Sequence, residues 1–230
     1  MNDTQTVVQN QPQPVRSVFL RVLAYIVSYV FHPVFVPTAM AFVLYKLAPV
    51  SFAGITPQHF NQWLLGMGIT TVFFPLFSVL LMKGLGFIKS IHLRDAKERT
   101  IPLITTMVFY FWQSHVFNAL AAAPGSNQVP PLILRILMTG SYFSIIALFI
   151  INIFMKISMH TTAMGGMIGI LIVLMIIGPV SMVIPVFMAL AIAGLVGTAR
   201  MLLGVHRIWE IWLGYILGAV SMLAAYLYLG

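Results

Sequence analysis

The sequence predicts an all-α fold, a polytopic transmembrane helical bundle of six to seven spans, and three observations predict it. Apolar residues fill 60% of the 230 positions and charged residues only 7%, where a soluble domain carries about a quarter charged. The apolar residues fall in blocks of the ~20 residues that a helix needs to cross ~30 Å of hydrocarbon. The blocks show no period-two alternation, so helices, which satisfy their own backbone, are the spanning element.

In chain order, residues 1–15 (MNDTQTVVQNQPQPV) are polar, carry two prolines and lack the apolar centre of a secretory signal. They are expected to form a disordered tail ahead of a single transmembrane domain, 16–230. The first candidate span, 18–48, contains His32-Pro33 and Val36-Pro37. Proline removes a backbone donor, so an interfacial helix followed by a kinked span is expected there. The following blocks are 60–88, 101–122, 130–156, 161–177, 181–203 and 205–229. The break at 177–183 (IGPVSMV) separates the fifth from the sixth. No repeat of fixed period divides the chain. There is no cysteine, so neither disulfides nor thiolate chemistry are available.

Charge is distributed unevenly between the two sides of this bundle. Segments 49–59, 123–129 and 178–182, after spans one, three and five, hold no charged residue. The opposite side holds Arg16, Arg21, the run from Lys89 to Arg99, Lys156, Arg200 and Arg207. An excess of Lys and Arg marks the cytoplasmic side, so a multi-pass protein of the bacterial inner membrane is expected, with this face and the N-terminus inside. The net charge of +8 then reflects topology and an anionic ligand. Too few polar residues remain to build a nucleic-acid-binding face. Lys46, Lys83 and Arg135, near span ends, are read as snorkelling to an interface.

Three polar clusters lie on the charged side. KSIHLRDAKERTIP, 89–102, holds six of the sixteen charged residues, more than orientation requires. Its cations (Arg94, Lys97 and Arg99 among them) suit phosphate oxygens. KISMHTT, 156–162, places Ser158 and His160 at a helix start, where backbone N–H groups face anions. ARMLLGVHRIWE, 199–210, sets His206 and Glu210 four apart on one helical face. A carboxylate there accepts the Nδ1–H of the imidazole and leaves Nε2 basic. Two spans separate each cluster from the next, so parity brings all three to one face. Gly165-xxx-Gly169 and Gly214-xxx-Gly218 allow the helices that follow His160 and His206 to approach closely.

Arg200-x5-His206-x3-Glu210 resembles the third signature of the type-2 phosphatidic acid phosphatase superfamily, Ser-Arg-x5-His-x3-Asp. Ser158-Met159-His160 is similar to the second, Pro-Ser-Gly-His, and the run ending Lys97-Glu98-Arg99-Thr100-Ile101-Pro102 to the first, Lys-x6-Arg-Pro. The resemblance covers about residues 89–215, a phosphatase-like core. It departs from the family at Glu210 for Asp, Ala199 for Ser, Ile157 and Met159 for Pro and Gly, Thr100 for Pro and His92 for Lys. Arg94 or Lys97 would then stand in for the missing cation.

The resemblance implies a membrane phosphatase acting on a lipid phosphate, of the phosphatidate, phosphatidylglycerophosphate or isoprenoid phosphate class. His206 would attack phosphorus, His160 would protonate the leaving oxygen and Glu210 would orient the nucleophile. Arg200, Arg99, Lys97, Arg94 and Ser158 would hold the phosphoryl group. No cofactor is implied, and the scattered histidines carry no metal-ligand spacing. The partners expected are membrane lipids. Two other readings compete: a non-catalytic relative that binds phosphate headgroups or serves a membrane complex, and, ranked lower, an anion transporter, for which no half-helix pair or inverted repeat is visible.

Overall fold

The computed structural model describes residues 14, 16–87, 96–123, 125, 129–178 and 181–230. Its elements are helices: α1 Val18–Val30, α2 Val36–Leu47, a 3₁₀ turn Pro49–Phe52, α3 Pro57–Gly84, α4 Ala96–Ala122, α5 Leu132–Phe154, α6 Met159–Ile177, α7 Val183–Leu202 and α8 Ile208–Leu229. Among the described residues there is no strand.

Five of these helices, α3 and α5 to α8, are long and apolar enough to cross a membrane. Their outward faces carry large apolar side chains, such as Phe154, Ile184 and Leu227, which water would not tolerate in such number. α4 has 27 residues, long enough to cross, but Gln113, Ser114, His115 and Asn118 make it more polar than the five.

The first candidate span divides at its prolines into two helices, as expected, but the second is also too short to span. At ~1.5 Å rise per residue, the 13 residues of α1 and 12 of α2 reach only ~20 Å and ~18 Å, short of the ~30 Å hydrocarbon core. The chain breaks between them because Pro33 supplies no N–H and Pro37 starts a new helix within its first turn. Ala24 of α1 packs on Ala199 and Leu203 near the end of α7. α3, in contrast, runs on through a π-type turn, Ile69–Phe73, just ahead of Pro75. The missing proline donor frees a carbonyl, and a widened turn accommodates it. Thr70 within that turn donates to Gln113 of α4 at 2.9 Å, and Thr71 pairs with Thr38 of α2 at 2.8 Å.

The centre of the bundle is the crossing of α6 with α8. A Cβ added to Gly165 would strike the carbonyl of Tyr215, and one added to Gly218 would strike that of Thr162. Gly169 faces Ala219 and Gly214 faces Ser158 and Thr161 in the same way. The two Gly-xxx-Gly motifs thus lie on opposite sides of one contact, where backbone meets backbone. Hydrocarbon gives helices no hydrophobic drive to associate, so such close packing is what holds them. α5 joins the same centre through Gly140 against Met222.

Arg135 makes a specific contact near the start of α5. Its Nε donates to Asn118 Oδ1 at 2.9 Å, and Asn118 in turn bonds Ser114 and Thr139. This network ties α4 to α5 at the end of the bundle away from His160.

Candidate functional site

The short loop between α5 and α6 builds the first part of the site. Ser158 is the N-cap of α6: its Oγ accepts the Thr161 N–H at 3.4 Å, and its carbonyl accepts the Thr161 and Thr162 hydroxyls. Its own N–H points to the Glu210 carbonyl at 3.5 Å. Ser158 is fully buried in this role, and it does not line the cavity described below. His160 follows in the first turn of α6, also buried.

The second part lies where α7 passes to α8. Arg200 occupies the last turn of α7, and Gly204 turns the chain with φ +64°, a conformation that favours glycine. His206 and Glu210 are both buried, with Nδ1 2.6 Å from Oε2. Glu210 sits in the first turn of α8, where the helix dipole favours a negative charge. A carboxylate only accepts, so Nδ1 carries the proton and the Nε2 lone pair is left for chemistry. Burial pushes the His206 pKa down to about 4; the hydrogen bond and charge of Glu210 oppose that shift, while Arg200 and Lys156 add to it. His206 is therefore a neutral imidazole at neutral pH.

The third part comes from α1, a segment to which the signatures assign nothing. Arg200 Nη1 donates to Ser28 Oγ at 3.3 Å, and His160 Nε2 donates to the Ser28 carbonyl at 3.1 Å. A carbonyl cannot donate, so Nε2 of His160 holds the proton in this arrangement. His32 stands edge-on to His160, ring centroids 5.4 Å apart. Its Nδ1 accepts the Val34 N–H at 3.4 Å, which leaves its proton on Nε2. The sequence signal for this pair was the His-Pro break. Near Pro33 the His32 N–H bonds the Tyr29 carbonyl, so the Ser28 carbonyl is open to His160.

Ser28, His32, His160, Arg200 and His206 line one end of a cavity of about 550 Å³. The other walls are largely apolar, through Leu103, Leu148, Met159 and Met167, with Ser141 and Ser144 deeper along α5. The polar end can take an anion: one guanidinium, imidazole donors and a neutral imidazole acceptor. Among the described residues no group of three or more His, Cys, Asp or Glu side chains could hold a metal ion.

The structure thus brings His160, Arg200, His206 and Glu210 together, and sets Ser158 behind them as a cap. The first cluster is placed less fully. Arg94 lies outside the described residues, as do the side chains of Lys97 and Arg99, although α4 includes both positions. Leu103, one turn past Arg99, packs with Leu148 and Ile157, so α4 begins at the same end of the bundle as α6. No family model, curated protein or solved structure matches this chain.

Proposed function

We propose that this protein is a multi-pass membrane phosphatase that hydrolyses a lipid phosphate through a phosphohistidine. The observation that carries the reading is the buried His206–Glu210 pair, 2.6 Å apart, beside Arg200 at the polar end of a cavity with apolar walls. His206 Nε2 attacks phosphorus, the bond to the lipid oxygen breaks, and His160, made imidazolium by the proton that a monoanionic phosphate brings, gives that oxygen its Nε2 proton and is left neutral. Water then attacks the phosphohistidine, its proton passes to His160, the N–P bond breaks and phosphate leaves. Arg200 neutralises the equatorial oxygens, because phosphoryl transfer depends mainly on positioning and charge. The contacts of Ser28 belong to the resting site: phosphate exchanges with Ser28 on Arg200, and the leaving oxygen exchanges with the Ser28 carbonyl on His160.

In the finer reading α4 joins the five apolar helices, and α1 with α2 completes a bundle of six to seven spans in the bacterial inner membrane. The charged face, with the site, lies in the cytoplasm, where Lys and Arg are retained. Arg16 and Arg21 support this independently of the site, since neither belongs to a phosphate-binding cluster.

Purified protein in detergent should release phosphate from lipid phosphates without added metal, and His206→Ala should abolish release. Turnover that survives His206→Ala rules out the phosphohistidine. The Ser28 contacts also favour a second reading, a headgroup-binding relative without turnover, because they already engage Arg200 Nη1 and His160 Nε2. Lipid phosphate bound but never hydrolysed, equally well by the His206→Ala protein, would decide for it.

A further inference from the structure

We propose that the cavity measures the length of a single apolar chain, so that the site selects lipid phosphates by one chain held inside the bundle. This deepens the lipid-phosphatase reading and rests on it for the position of the phosphate. Three observations carry it.

The first is depth. Leu137 lies 17 residues before the end of α5 and Met222 lies 14 residues after the start of α8. At ~1.5 Å per residue, they put the floor of the cavity ~20–25 Å from the polar end. The second is volume. The space of about 550 Å³ is far larger than the voids that protein interiors keep, and it is large enough for an apolar chain. A methylene group is about as large as a water, which takes ~30 Å³, so the space holds about 18 methylenes. That is one long chain; the two chains of a diacyl lipid do not fit. The third is the entrance. Tyr25 and Tyr29 of α1 and Leu76 and Leu80 of α3 line the cavity and also face outward. These are lipid-facing apolar residues, so the opening admits a chain sideways from the bilayer.

Ser144 gives the inference a handle. It is buried on the cavity wall, and its hydroxyl has no hydrogen-bond partner, whereas Ser78, Thr105, Thr106 and Ser221 each bond the carbonyl four residues back. An apolar side chain at this position breaks no bond and only occupies space.

The test uses monoalkyl phosphates of increasing chain length in mixed micelles, with phosphate release as one readout. Binding of the matching, non-hydrolysable monoalkyl phosphonates is the other. Wild-type protein should show a maximum near eighteen carbons and lose at least threefold for markedly longer chains. Phe brings about five more heavy atoms than Ser, so Ser144→Phe should move the maximum shorter by about four carbons at close packing. Ser144→Ala should leave it in place. Partition into the micelle is common to all variants, so the ratio to wild type at each length reports the cavity alone. If Ser144→Phe fails to fold, Ala163→Phe on the α6 wall reads the same shift. Phosphonate binding that shifts without any hydrolysis would sustain the chain site and remove the phosphatase. Hydrolysis with one unshifted profile in every folded variant would do the reverse. A profile with no maximum would mean that bystander lipid fills the space, and would overturn the proposal.

Discussion

Replacing Glu210 by Gln tests the orientation of His206 with little change in shape. The carboxylate holds Nδ1–H at 2.6 Å inside a buried pocket. A hydrogen bond to a charged group contributes about 1.5–3 kcal/mol, and an amide restores only about 1 kcal/mol of it. Glutamine can also offer its NH₂ to Nδ1 and so favour the wrong tautomer. The remaining difference of about 0.5–2 kcal/mol in the transition state is about two- to thirtyfold in kcat, with KM nearly unchanged, because phosphate contacts remain with Arg200. The assay is steady-state phosphate release across pH. The acid limb of kcat/KM should lie near the His206 pKa of about 4, not near 6.5. Glu210 raises that pKa by hydrogen bond and by charge, so the Gln variant should move the limb lower still. Glu210→Asp keeps the charge but withdraws it by one methylene, and should fall between the two. A Gln variant within twofold of wild type, or a limb that moves upward, would refute the role given to Glu210.

Three further outcomes follow from the packing. Because the His206 pKa is lowered from 6.5 to about 4 by burial, its contribution to stability is complete above pH 6.5. It should be lost as pH falls toward 4, by roughly 3 kcal/mol; thermal unfolding in detergent from pH 7 to pH 4 reads this, and His206→Gln should flatten the slope. Gly218→Ala forces a Cβ into the Thr162 carbonyl and should destabilise the α6–α8 crossing by about 3 kcal/mol in the same assay. Arg135→Met removes the bond to Asn118 at the end remote from the site; it should cost about 1 kcal/mol of stability and leave kcat within twofold.

How much of this was legible in the sequence depends on how far apart the partners stand. His206 and Glu210 are one helical turn apart, so spacing alone paired them. The Gly-xxx-Gly motifs identified the helices that approach closely, because only glycine permits that contact. Parity correctly predicted that His160 and Arg200 share an end. The contacts of Ser28 were not legible: its partners lie 132 and 172 residues away, and no periodicity encodes a meeting of that kind. The role of Ser158 was read from its position at a helix start, which suits an anion and an N-cap equally. Its hydroxyl serves as the cap. The prolines of 18–48 mark the break between two helices, but apolar composition that runs on without a gap does not show that the second ends at Leu47, too short to cross.

That division matters to the site. In an unbroken helix the Ser28 carbonyl would accept the His32 N–H, and neither group could face inward. At the break, the His32 N–H turns to Tyr29 and the Ser28 carbonyl reaches His160. His32 also gains the freedom to place its ring against His160. A helix too short to span is therefore what lets the first segment supply an acceptor and a donor at the polar end. Tyr25 and Tyr29 of the same short helix line the cavity and face outward. One proline-driven interruption thus shapes both the polar end of the cavity and the route proposed for an apolar chain.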